Sequence, residues 1–172
     1  MPRLVLFRHA KSAWDDPDLP DIDRPLARRG RLAATLMGGY LAEEGLAPDL
    51  VLLSPALRTR ETWARAAAAA GFEPPARVKI VSDLYMADPQ TARAILAEEG
   101  GEAATVLVLG HEPGTGALLR RLHDGRAEPP LTRAFEKFPT AAVAALDLPG
   151  PWSQTAWGEA AFALFAAPKD LV

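Results

Sequence analysis

Three short segments hold the side chains best suited to chemistry. They are Arg8-His9-Ala10-Lys11-Ser12, Ser54-Pro55-Ala56-Leu57-Arg58 and Gly110-His111-Glu112-Pro113-Gly114, each directly after an apolar run. Two of the three histidines in the chain lie in them. Arginine offers planar, paired N–H donors that match phosphate or carboxylate. A neutral imidazole can attack phosphorus, and a protonated one can hold a developing oxyanion. His9, Arg8, Arg58 and His111 on one rim therefore suit a dianionic group, and suggest metal-free phosphoryl transfer through a phosphohistidine. The few carboxylates near the rim disfavour a Mg²⁺ cage. The arginines would repel a zinc ion held by His9 and His111. Taken singly, each segment has a plainer reading: a capping Arg-His pair, a satisfied loop histidine, a solvated first-turn arginine. Only their joint placement sets them apart.

That placement depends on the elements around them. Leu4–Phe7 reads as a buried parallel strand, and Asp49–Leu53, Val78–Val81 and Thr105–Leu109 read as further short strands. Between them, residues 27–44, a segment opened by Ser54-Pro55 as N-cap and first turn, and residues 88–99 read as helices. A fourth helix is expected after the Gly110–Gly116 turn. Residues 142–148 and 160–166 read as a late antiparallel edge hairpin, and 123–140 is left unassigned. Repeated strand–helix alternation predicts an α/β fold, a three-layer sandwich with a mostly parallel central sheet and antiparallel late strands. One domain over residues 1–172 is the expectation. Ligands of such sheets gather outside the carboxyl ends of the strands, which is where the three segments fall.

Composition narrows the classes further. Of 172 residues, 49% are hydrophobic and 24% charged, as in ordinary globular chains. The net charge of -3 argues against a nucleic-acid backbone as partner. The absence of cysteine excludes disulfides, thiolate nucleophiles and cysteine-held metals. No leader and no membrane-length apolar stretch is visible, so a cytoplasmic protein with no membrane partner is expected. The oligomeric state is not encoded in any pattern here.

The residues resemble those of the histidine phosphatase superfamily, and within it the SixA-like phosphohistidine phosphatases. The likeness is carried by LVLFRHAKSAWDD (4–16), DRPLARRG (23–30), DLVLLSPALRTRET (49–62), LVLGHEPG (107–114) and FPTAAVA (138–144), in the family's order. The resemblance implies a phosphoglycerate mutase-like fold and no cofactor. It implies His9 as the nucleophile, with Arg8, Arg58 and His111 completing the phosphate pocket and Ser12 in a secondary binding role. A turn-forming serine is an equal reading of Ser12. Arg24 is expected to pair with a neighbouring aspartate, and Lys11 and Trp14 to frame the pocket mouth. Mutase-like relatives carry a glutamate general acid after the third strand. Here Met86 takes that place, with Asp83 and Asp88 as weak substitutes. Asp15 stands where those relatives have asparagine, and would repel phosphate unless paired.

An alkoxide leaving group profits from a positioned proton donor, whereas an imidazole leaves readily without one. The expected substrate is therefore a phosphorylated protein bearing phosphohistidine, met at an open, short-looped site. A phosphatase of small phosphate esters and a non-catalytic phosphate-binding module are the alternatives. Arg28, Arg29 and Arg31 read as a solvated helix face, Trp152 and Trp157 as packing residues, and His123 as surface.

Overall fold

The structure is a computed structural model describing residues 1–172. Its strands are β1 (Arg3–Arg8), β2 (Leu50–Leu53), β3 (Arg77–Ile80), β4 (Thr105–Gly110), β5 (Val143–Asp147) and β6 (Ala161–Ala166). They form one sheet in the order β3-β2-β4-β1-β5-β6. The pairs β2–β3, β2–β4 and β1–β4 are parallel, while β1–β5 and β5–β6 are antiparallel. The late hairpin lies at the sheet edge, but only β6 is a true edge strand, because β5 also pairs with β1. At the other edge all of β3 is exposed, Val78 and Ile80 included.

Alternating side chains on β1 divide the core in two. Leu4 and Leu6 face a layer that includes Leu96, Leu119, Phe138 and Trp152; Val5 and Phe7 face one that includes Met37, Leu41, Trp63 and Ala66. Helices α1 (Arg28–Glu43) and α2 (Leu57–Ala70) cover the second face. They cross closely because Gly38 has no side chain: a Cβ there would lie 2.2 Å from the Ala66 carbonyl oxygen. Helices α3 (Pro89–Glu99) and α4 (Gly114–Leu122) cover the first, with the short α5 (Arg133–Glu136) in the segment left unassigned from sequence. Asp88 caps α3 by accepting from the Thr91 backbone N–H at 2.8 Å. The sheet with helices on both faces is the expected α/β sandwich.

Two local expectations are corrected. Ser54-Pro55 does not open α2; the helix starts at Leu57, and Ser54 turns to His111 instead. His123 is half-buried, its ring stacked on Phe135 at 4.5 Å, and its Nδ1 accepts from the Gly125 N–H. Trp152 is buried and donates to the Ala103 carbonyl, and the Trp157 ring has the Arg121 and Arg93 guanidinium groups 4.0 Å and 4.7 Å from its centre.

Candidate active site

Strand register assembles the site. In the β1–β4 pair Arg8 lies opposite Gly110, so the next residues, His9 and His111, leave the sheet side by side. The His9 N–H donates to the Gly110 carbonyl at 3.1 Å, and the two rings sit 5.4 Å apart, tilted by 56°. In the β2–β4 pair Leu53 lies opposite Leu109, which places Ser54 within 2.7 Å of His111. Arg58, in the first turn of α2, comes in from the same end. Thr62 ties the parts together: its hydroxyl donates to the Arg58 carbonyl and accepts from the Ala10 N–H. All five sequence-expected residues (Arg8, His9, Ser12, Arg58 and His111) line one cleft of about 340 Å³.

The tautomers follow from the hydrogen bonds. His9 Nδ1–H donates to the Ala10 carbonyl at 2.7 Å, which leaves the lone pair on Nε2. Arg58 Nη2 donates to His111 Nδ1 at 3.2 Å, so the His111 proton is on Nε2 and goes to Ser54 Oγ. Both rings are buried, and both are held neutral. Burial pushes His9 down to about 4, helped by the charges of Arg58, Arg8 and Arg24. Burial and then Arg58 push His111 down to about 3. A neutral His9 with a free lone pair is the form a nucleophile needs.

The arginines are held by few, directed contacts. Arg58 is almost fully buried and donates to the Asp21 carbonyl (2.7 Å) and to Asp21 Oδ2 (3.0 Å). Arg8 Nη1 donates to the Phe138 carbonyl at 2.8 Å. Arg8 Nε and Arg58 Nε are buried with no acceptor. Such unpaired donors are costly unless an acceptor arrives. Four cationic side chains (Arg8, Lys11, Arg24 and Arg58) and two carboxylates (Asp21 and Glu112) line the cleft, so it is locally positive in a chain of net charge -3.

Sequence reasoning missed part of this. Arg24 does pair with an aspartate, but it also lines the cleft and donates to Ser12 Oγ at 2.7 Å. Its partner Asp21 was not singled out. Asp21 accepts from Arg24, Arg58 and the Tyr85 hydroxyl, and these bonds, Tyr85's first, hold its carboxyl far below the usual carboxylate range. Arg24 is three positions away, but Arg58 and Tyr85 are 37 and 64 positions away, so local spacing does not set Asp21 apart from its neighbouring aspartates. Trp14 stacks on the Arg24 guanidinium at 3.6 Å and remains 69% exposed at the cleft rim. Met86 lines the cleft with its sulfur 3.9 Å from Arg58 Nη2. It sits at φ 52°, a left-handed conformation that costs a side-chain-bearing residue about 1–2 kcal/mol. Asp83, Asp88 and Asp15 do not line the cleft. Nowhere do three His, Cys, Asp or Glu side chains group as metal ligands. No helix is long and apolar enough to cross a membrane.

The sequence pattern of the histidine phosphatase superfamily (branch 1) matches residues 4–85. An uncharacterised protein of Mycobacterium tuberculosis is 41% identical over 165 residues, covering 95% of this chain and 100% of its own. Among solved structures, a Nakamurella multipartitia protein named "Putative Phosphohistidine Phosphatase SixA" superposes with a TM-score of 0.83 at 31% identity, over 97% of this chain and 96% of its own. The protein histidine phosphatase SixA, solved with tungstate, gives 0.79 at 26% identity, over 99% of both chains. The chain belongs to the histidine phosphatase superfamily, in its SixA-like branch, and has the phosphoglycerate mutase-like α/β fold. It is a phosphatase, and its substrates are phosphorylated molecules.

Proposed function

We propose that this phosphatase dephosphorylates phosphohistidine in a protein, through a covalent phosphohistidine on His9 and without a metal ion. The observation that carries this reading is the state of His9: neutral, with its Nδ1–H held by the Ala10 carbonyl, among arginines whose buried Nε–H groups have no acceptor. Arg8 and Arg58 take the phosphoryl oxygens, and Ser12, held by Arg24, adds a hydroxyl at the pocket wall. His9 Nε2 attacks in line as the P–N bond to the substrate's imidazole breaks, and that imidazole takes a proton from water. The positive charge that forms on the ring is stabilised at Nδ1–H by the Ala10 carbonyl. Positioning and fixed charge supply most of the rate in such a loose transition state. His111 becomes a donor to the oxyanion once its Nδ1 gains a proton, and the incoming dianion favours this by offsetting the Arg58 charge. Water then forms a P–O bond as the His9 Nε2–P bond breaks, its proton is lost to solvent, and orthophosphate leaves with His9 neutral again.

Three features support phosphohistidine as the substrate. Three structures named as SixA are similar to this chain at 26–31% identity. Met86, not a carboxylate, stands after β3, where mutase-like relatives keep a general acid. The cleft rim carries an exposed Trp14 rather than a covering helix. A cytoplasmic location belongs to the same proposal. The test is a substrate screen with EDTA present. A phosphohistidine protein should be turned over with a higher kcat/KM than sugar phosphates, and His9→Ala should be inactive on all of them. Activity surviving in His9→Ala, or a strong preference for a sugar phosphate, would overturn the reading.

A further inference from the structure

We propose that the hollow beyond Trp14, which Lys11, Arg28 and Arg31 line, binds an acidic segment of the phosphorylated protein beside its phosphohistidine. The inference deepens the phosphohistidine reading and rests on it. It makes the charge of the sequence around the phosphorylated residue a determinant of substrate choice. The hollow has a volume of about 660 Å³, within the range that holds sizeable ligands. Lys11, Ser12 and Trp14 line both it and the catalytic cleft, so the two adjoin. A polypeptide with its phosphoryl group at His9 therefore has a direct way out over this surface.

Backbone pairing fixes this surface. Segments 11–13 and 25–27 run antiparallel: the Ala13 N–H donates to the Pro25 carbonyl and the Ala27 N–H to the Lys11 carbonyl, both at 2.9 Å. Helix α1 then starts against the Lys11 backbone, since a Cβ on Gly30 would lie 2.1 Å from the Lys11 carbonyl oxygen. This close approach sets Arg28 and Arg31 beside Lys11. Arg31 Nη1 donates to the Leu26 carbonyl at 3.1 Å, and Glu61 Oε1 accepts from the Leu26 N–H at 2.8 Å, so both of those charges are held against the chain. Lys11 and Arg28 are exposed and enter no ion pair. Asp15 is also exposed and in no ion pair, and it lines this hollow rather than the phosphate pocket. Two free cations thus stand against one free carboxylate.

The other hollows beside the cleft carry the opposite sign. The one on the Met86 side, about 170 Å³, is lined by Asp88 and Glu112 and by no lysine or arginine. A third, about 310 Å³, also borders Trp14 and has Asp16 and Asp21 against Arg24, which is already paired with Asp21. Acidic residues beside the phosphohistidine are therefore repelled at two exits and attracted at one. The phosphoprotein is drawn across the cleft in one direction, with its acidic side toward α1. Trp14, 69% exposed, gives that segment an apolar contact where the cationic hollow meets the cleft.

The test is calorimetry with synthetic peptides that carry a non-hydrolysable phosphohistidine analogue, with paired Glu or paired Lys residues on either its N-terminal or its C-terminal side. An exposed ion pair contributes up to about fivefold, so on one flank Glu should bind about tenfold more tightly than Lys, and on the other flank it should give no gain. The preference should shrink in about 1 M salt, which screens exposed charges. Arg28→Glu should reduce it to about twofold or less. Arg28 is the exposed first residue of α1, where a carboxylate suits the helix, so this variant should fold. Affinities equal within about twofold for all peptides, an acidic preference shared by both flanks, or one that survives Arg28→Glu would overturn the proposal while leaving phosphohistidine as the substrate. Binding of none of the peptides would overturn both.

Discussion

Two neutral, buried histidines in a positive cleft should make this protein sensitive to mild acid. An unfolded histidine titrates near 6.5, whereas His9 and His111 are held at about 4 and about 3 in the fold. Below about pH 6.5 the unfolded chain therefore binds protons that the native site refuses, and stability falls as pH falls. Above that value both states are neutral and the penalty vanishes. At about pH 5 each histidine should cost about 2 kcal/mol, or about 4 kcal/mol for the pair, a large share of a typical stability. The Asp21 carboxyl, with its depressed value, loses its contribution only at lower pH and does not enter this window. The assay is urea unfolding at several pH values between about 7.5 and 5, on the wild type and on a His9→Asn, His111→Asn double variant. The wild type should lose about 4 kcal/mol more than the double variant across that range. Equal pH dependence in the two proteins would refute the reasoning. Added inorganic phosphate should reduce the wild-type loss, because the bound dianion lets the site accept a proton.

Other parts of the account can be tested separately. Arg58→Lys should lower kcat/KM by about 10²–10³-fold, because one ammonium cannot meet a phosphoryl oxygen, Asp21 and His111 at once; steady-state kinetics with a phosphohistidine protein would show it. Asp21→Asn should weaken inorganic phosphate binding, measured by calorimetry, because it loosens Arg24 and Arg58 together, with the circular dichroism spectrum unchanged. Gly38→Val should destabilise by about 1–3 kcal/mol or more in urea unfolding, since its Cβ would collide with the Ala66 backbone where α1 crosses α2. Trp14→Ala should raise KM for a protein substrate more than for a small ester, because the exposed indole sits on the rim above Arg24 and outside the phosphate pocket.

Much of the fold was legible because β1, β2 and β4 are buried on both faces and therefore read as continuous apolar runs. Strand ends are also where an α/β sheet gathers its ligands, so Arg8, His9, Arg58 and His111 group together from the sequence alone. Other features depended on contacts between distant parts of the chain. Ser54 looked like a helix cap because its neighbour is proline, but its hydroxyl has a better partner in His111, supplied by the register of β4. Asp21 sits in a Pro- and Asp-rich loop where one aspartate looks like the next. Only the paths of α2 and the Tyr85 turn select it.

The most direct test of the central claim is a phosphoenzyme trap. The protein is mixed with a ³²P-labelled phosphohistidine donor, quenched within the turnover time, and the label is tested for acid lability and located by proteolysis. The account predicts an acid-labile label on the peptide containing His9, lost in His9→Ala. An unlabelled wild type that still turns the donor over, or a label that persists in His9→Ala, would contradict it.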